Sequence, residues 1–382
     1  MPPAIHRNSN PHTNCGSRLE RGVFLKLLML LAIINNAPAL GHSTTSIYLG
    51  LPPKANHMAR SVPSAQVALG MRLFFDRRLS GNGKVSCATC HIPARGFTDG
   101  HSLAVGIDGQ PGTRNTPTLW NSVYLSSFFW DGRSPSLATQ ALNPLFDSRE
   151  QGLRDPRQLL KLIRRDPVYR NTFAKTFGRL NAISISNVAR ALASYEETLV
   201  AGDSPFDQYF YGHRVFAISP SAVHGFELFR GRARCASCHT VSKKYALFTD
   251  NRFHNEGVGF QQIAANLATA SVQVANTPSG KLDQLITSDA GVAALGRFVI
   301  TKDPNDIGKF RTPSLRNVAL TAPYMHDGSI PTLRQAVDFE IYYRGLRSKR
   351  PLILTPRERS DLVAFLNSLT SPAATELAKP PK

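Results

Sequence analysis

Cysteine is scarce in this chain, five in 382 residues, enough for two disulfides at most. Acidic residues are also few, 26 against 45 Lys and Arg, for a formal net charge of +19. A positive excess draws anionic partners. No basic stretch is interleaved with aromatics, however, which argues against nucleic acid. Long apolar runs are missing too. The longest, Leu27 to Ile34, is too short to span a bilayer. Strand signals are few, Arg297-Phe298-Val299-Ile300-Thr301 being the best. What remains is a globular composition, 42% hydrophobic and 19% charged, neither disordered nor collagenous. The length suits two domains of ordinary size.

The amino-terminal stretch reads as an export signal. Arg18, Arg21 and Lys26 precede or enter the apolar run, and Ala37-Pro38-Ala39 follows as a small-x-small cleavage site. Residues 1–39 are therefore expected to be a signal peptide, which places the mature protein in the periplasm. Membrane attachment is expected only if the leader stays uncleaved. Cleavage lowers the formal charge to about +16, and an acidic redox protein, a small cytochrome c or cupredoxin, is the partner expected for that surface.

Cys15 leaves with the leader. The other four cysteines all stand in two C-x-x-C-H motifs, Cys87-Ala88-Thr89-Cys90-His91 and Cys235-Ala236-Ser237-Cys238-His239. Two structural disulfides would account for four cysteines in an exported chain, but not for a histidine directly after each second cysteine. C-x-x-C-H is the attachment signature of c-type haem: the thiols add across the vinyl groups and the imidazole becomes the proximal iron ligand. Two covalent haems c are expected, with His91 and His239 as proximal ligands.

The chain also repeats itself. Gly70-Met71-Arg72-Leu73-Phe74 before the first motif answers Gly225-Phe226-Glu227-Leu228-Phe229 before the second. Thr116-Pro117-Thr118-Leu119-Trp120-Asn121 matches Thr312-Pro313-Ser314-Leu315-Arg316-Asn317 at an offset of 196. The same offset aligns Trp130-Asp131-Gly132 with His326-Asp327-Gly328. Each half closes in a helical pattern: Val188, Leu192, Tyr195 and Leu199 in the first, and in the second a capping box at Thr355 to Glu358 leading into Leu362, Phe365 and Leu369. Ala201 to Pro205 reads as a linker. The second half carries about 48 extra residues, and the polar, Ala-rich part from Gln261 to Asp289 reads as loop or short helix. The expected fold is mainly α, two cytochrome c-like haem domains (residues 40–205 and 206–382) from an internal duplication, with few short strands.

These motifs, together with Leu73-Phe74-Phe75-Asp76, Phe129-Trp130-Asp131-Gly132-Arg133 and Leu320 to Gly328, make the chain resemble the bacterial dihaem cytochrome c peroxidase family, and more closely its MauG-like branch. The similarity covers roughly residues 67–370. It implies that hydrogen peroxide reacts at the first haem, with a distal Gln and Glu ten and twenty residues past the Trp of the Trp-Asp-Gly element. Those positions hold Gln140 and Glu150. Glu150 would move protons between the peroxide oxygens, and Pro144 matches a pocket-lining proline. Trp130 matches a tryptophan between the haems that relays electrons. Asn115, Thr321 and Pro323 match positions that bind a calcium ion, a cation served by oxygen ligands.

Two departures stand out. The classical loop histidine that closes the first haem falls near Ile107, and His101 is six residues too early. The resemblance then implies an open, high-spin first haem, unless His101 ligates through a rearranged loop. At the second haem, classical relatives place Met and MauG-like ones Tyr fourteen residues after the His326 position. That residue here is Glu340. Anchoring on Arg344-Gly345 points instead to Tyr342 as the sixth ligand, with Tyr343 the alternative. His326 and His254 are expected to be structural. The expected function is an oxidoreductase reducing peroxide at the amino-terminal haem with electrons relayed through the carboxy-terminal one. MauG-like oxidation of a partner protein is a variant of this reading, and a non-catalytic dihaem electron carrier is the alternative.

Overall fold

The computed structural model describes residues 47–53, 62–347 and 351–378. The leader, Cys15 and His57 lie outside these. The molecule is mainly α, as expected. Its strands among the described residues are Phe253–His254 and Phe310–Arg311, one short antiparallel pair. No helix of the described residues is long and apolar enough to cross a membrane.

Two cores organise the chain, and they are built alike. In the first, the Ser64–Phe75 helix packs on the Ile185–Glu196 helix around Leu69, Phe74, Val188, Leu192 and Tyr195. In the second, the Pro220–Arg230 helix packs on Pro356–Asn367 around Phe226, Phe229, Leu362 and Phe365. Each pair crosses at a glycine for a steric reason. A Cβ on Gly70 would stand 1.8 Å from the Ala191 carbonyl oxygen, and one on Gly225 1.9 Å from that of Asp361. Only hydrogen fits at either crossing.

The 196-residue register holds in the backbone as well. Asn121 and Asn317 both take φ of 62° and each opens a short 3-10 turn, Ser122–Tyr124 and Val318–Leu320. Asn tolerates this left-handed region better than most side chains. Phe128 bridges Ser134 as Tyr324 bridges Ile330. The two Asp-Gly turns match too, with φ of 69° at Gly132 and 60° at Gly328.

The insertion is more ordered than expected. Its polar, Ala-rich stretch forms a 17-residue helix, Phe260–Asn276, followed by helices Leu282–Ser288 and Ala290–Ala294. Ile263, Val274, Ile286, Val292 and Leu295 close a small core of their own. The expected strand at Arg297–Thr301 is instead a helical turn, Phe298–Thr301. Its β-branched residues have no neighbouring strand to pair with, and Phe298 and Val299 are buried in the insertion core. Burial outweighs strand propensity there.

The stretch Ala201 to Pro205 is no loose linker. The Asn121 side chain brackets Ala201, accepting from its N–H at 2.9 Å and donating to its carbonyl at 3.0 Å. Ser204 caps the Pro205–Phe210 helix in a capping box with Asp207. Asp207 also receives both arms of the buried Arg316 guanidinium at 2.8 and 2.9 Å, and Arg316 further donates to the carbonyls of Gly50 and Ala246. A buried ion pair so fully hydrogen-bonded ties the early residues to the second half. At the other end, Ala374 and Leu377 of the Pro372–Ala378 helix belong to the first core.

Candidate functional site

Each C-x-x-C-H segment opens on a cavity. In the first, Cys87 and Cys90 stand one turn apart on a four-residue helix and His91 ends it. The His91 ring rests 6.5 Å from Phe74, and its Nδ1 lies 3.0 Å from the Phe97 carbonyl oxygen. The second repeats this: His239 is 6.5 Å from Phe229, with Nδ1 2.8 Å from the Phe248 carbonyl. In both rings Nδ1 is the donor held by backbone, which leaves Nε2 as the lone-pair nitrogen. That is the orientation a ligating histidine needs. Burial keeps the imidazoles neutral, lowering His91 and taking His239 down to about 4. None of Cys87, Cys90, Cys235 and Cys238 is paired in a disulfide, which keeps all four for attachment.

The first cavity brings together His91, both thiols, Gln140, Pro144, Glu150 and Trp130. Gln140 ends the Leu137–Gln140 helix, capped by Ser136. Glu150 is fixed through its backbone, its carbonyl accepting from Ile107 at 2.8 Å. Burial first, and the Asp147 carboxylate second, raise the Glu150 carboxyl to about 7, against the pull of Arg133. A carboxyl poised there suits proton transfer near neutrality. Beyond His91, no histidine, methionine, tyrosine or lysine among the described residues lines this cavity. His101 is exposed and stays outside it.

The second cavity is lined by Cys235, Cys238, His239, Asn115, Thr321, Pro323 and His326, and by one face of the Leu333–Arg347 helix. That face carries Ala336, Val337, Glu340, Ile341 and Arg344. Tyr342 is not on it. The tyrosine is 66% exposed, which corrects its expected place at the second haem. The helix is continuous from Leu333 to Arg347. Two positions past Glu340 turn a side chain about 200° around the axis. Tyr343 does not line the cavity either; its ring stacks on Phe339 at 6.1 Å. His326 lies flat on Phe310, ring centroids 3.6 Å apart. Cys238, Asp250 and His254 bring ligand atoms within 4.8 Å of one another, but His254 is already bonded to Asp250 at 2.8 Å.

Trp130, Asn115, Thr116 and Arg311 border both cavities. The Trp130 indole donates to the Asn115 carbonyl at 2.9 Å. Asn115 gives its amide nitrogen to the His101 carbonyl at 2.8 Å, which leaves Oδ1 as its acceptor end. Sequence reasoning passed over Arg311, although it stands beside the repeated Thr-Pro. It also missed Glu196, one residue past Tyr195 in a pattern read only for its apolar members. Nor did it see that Ile286 and Thr287 of the insertion reach the first cavity.

Haem fits these cavities on chemical grounds. The Trp120 Nε1, Ser122 Oγ, Arg114 Nε and Arg311 Nε atoms are buried without hydrogen-bond partners, and all four side chains border one cavity or both. Buried polar groups rarely stay unpaired. Propionate oxygens would meet them, and Arg311, lowered by burial to about 10, is a cation suited to such a partner.

Comparison with known proteins agrees. A family model described as di-haem cytochrome c peroxidase matches residues 64–215. The methylamine utilization protein MauG of Methylorubrum extorquens is 36% identical over 86% of this chain and 84% of its own. The cytochrome-c peroxidase IdrP1 of a Pseudomonas species is 34% identical, over 90% and 91%. Among solved structures, a MauG-like protein associated with microbial copper homeostasis superposes with a TM-score of 0.67 at 31% identity, covering 90% of this chain and 98% of that one.

Proposed function

Because the chain belongs to the di-haem cytochrome c peroxidase family, we propose that hydrogen peroxide is reduced in its first cavity with electrons that enter through the second. Two haems c, when bound, supply irons that accept and pass single electrons, the first also binding peroxide. The remaining work falls to the chain. Cys87, Cys90, Cys235 and Cys238 anchor the two groups, and His91 and His239 ligate them through Nε2. Glu150 would take a proton from one peroxide oxygen and return it to the other, and Gln140 would hold the peroxide by a hydrogen bond. Trp130, bordering both cavities, carries the electron between them. Two electrons and two protons turn each peroxide into two waters.

The observation that carries this reading is the first cavity's lining: a proximal histidine, a carboxyl raised to about 7 and, among the described residues, no second histidine, methionine, tyrosine or lysine. A non-catalytic electron carrier would need both irons closed and would have no use for Glu150. One titration separates the two. Stoichiometric peroxide added to the two-haem protein should change the haem absorbance within the mixing experiment, and an unchanged spectrum would defeat the enzyme reading. EPR of the oxidised protein should show a high-spin first haem. Steady-state assay with a reduced acidic cytochrome or cupredoxin then distinguishes a simple peroxidase from an enzyme that oxidises a partner protein.

Asn115, Thr321 and Pro323, which share the wall of the second cavity, are proposed to hold one calcium ion through amide and carbonyl oxygens. Chelator-treated protein that kept its inter-haem electron transfer and had carried no metal would remove this ion from the scheme. The leader pattern supports export to the periplasm, and the two cores support a division into haem units near residue 205.

A further inference from the structure

The second cavity contains a carboxylate where family relatives supply a thioether or a phenol. Six side chains of the Leu333–Arg347 helix line that space: Leu333, Ala336, Val337, Glu340, Ile341 and Arg344. Four are aliphatic and Arg344 is a cation. Only Glu340 on this face has a lone pair for iron. Of the other lining side chains, His326 is stacked on Phe310, His254 is bonded to Asp250, Met325 packs against the second core and Tyr324 donates its hydroxyl to the Val318 carbonyl at 3.2 Å. Glu256 is a second carboxylate in the lining, off the helix.

Arg344 aims the carboxylate. Its Nε lies 3.4 Å from Glu340 Oε2, while its Nη1 donates to the Arg234 carbonyl at 3.1 Å, one residue before Cys235. The pair therefore links the helix directly to the haem-attachment segment. We propose that Glu340 is the sixth ligand of the second haem iron, bonding through a carboxylate oxygen. The assignment rests on the reading of this cavity as a haem pocket. An anionic oxygen favours ferric over ferrous iron, so the second haem would be a low-potential, readily oxidised electron donor to the first. A carboxylate is also a weak-field ligand, so both ferric haems would be high-spin.

The test uses the full holoprotein, with haem counted by pyridine haemochromogen absorbance. Glu340→His should convert one of two high-spin haems to low-spin, read as one new low-spin signal per protein in EPR. Glu340→Gln, which keeps the shape and removes the charge, should shift the lower midpoint potential upward. Tyr342→Phe, on the exposed face of the helix, should leave spectrum and potentials unchanged, and a spin-state change in Glu256→His with none in Glu340→His would overturn the assignment. Two bound haems with neither Glu340 variant altering spectrum or potential would overturn the ligand assignment, as would a wild-type second haem already low-spin. Protein carrying a single haem would instead overturn the reading of the cavity itself.

Discussion

At the scale of single residues, Glu150 has the most to do. In the proposed reaction its carboxyl must be ionised to accept a proton from peroxide, and burial beside Asp147 raises it to about 7. The free enzyme's kcat/KM for peroxide should therefore fall as pH drops below about 7 and level off above it. Glu150→Gln should abolish that limb and lower kcat/KM by about 10²- to 10⁴-fold, measured by stopped-flow peroxide reaction. Trp130→Phe removes the indole shared by both cavities and should slow inter-haem electron transfer while leaving both haems attached. An unchanged transfer rate would dismiss the relay. The residues of the first cavity were legible because the chemistry of C-x-x-C-H and the Trp-based spacing act through fixed positions. Tyr342 was misread because its assignment depended on an insertion. Sequence pattern cannot show whether a helix absorbs two extra residues, and here the turn-by-turn geometry puts Glu340 on the inner face.

At the scale of elements, the two helix crossings carry the duplicated fold. Gly70→Ala and Gly225→Ala each push a methyl into a backbone carbonyl across the crossing. Overpacking of this kind costs about 1–3 kcal/mol or more. Thermal unfolding should show each variant less stable, with haem content dropping in the affected half. The paired glycines, the Leu-Phe motif and the closing helices could be read because repetition exposes what both halves need. The insertion could not be read this way, since it has no counterpart in the first half. Its helices are fixed by a private core and by long-range bonds: Thr113 to the Ile286 carbonyl at 2.7 Å, Thr287 to Asp147 at 2.6 Å and Arg114 to the Ala293 carbonyl at 2.8 Å. Nothing local announces those partners. Nor did anything local reveal that Phe298 would be buried in a helical turn rather than paired in a sheet.

At the scale of the whole molecule, charge and connectivity matter most. With 45 basic against 26 acidic residues, encounter with an acidic electron donor should be electrostatically steered. Its second-order rate should fall steeply as salt rises, because screening shortens the reach of surface charge to about 8 Å at physiological ionic strength. A rate indifferent to salt would point to a neutral donor. Connectivity has a different consequence. Ala374 and Leu377, at the far end of the chain, fill the first core, whose other wall includes Leu320 and the Cys87–Ala88 pair of the first motif. The first core therefore takes side chains from a helix that follows the closing helix of the second half, Pro356–Asn367. A protein ending at residue 371 should keep a well-folded second unit yet show a loosened, protease-sensitive first one.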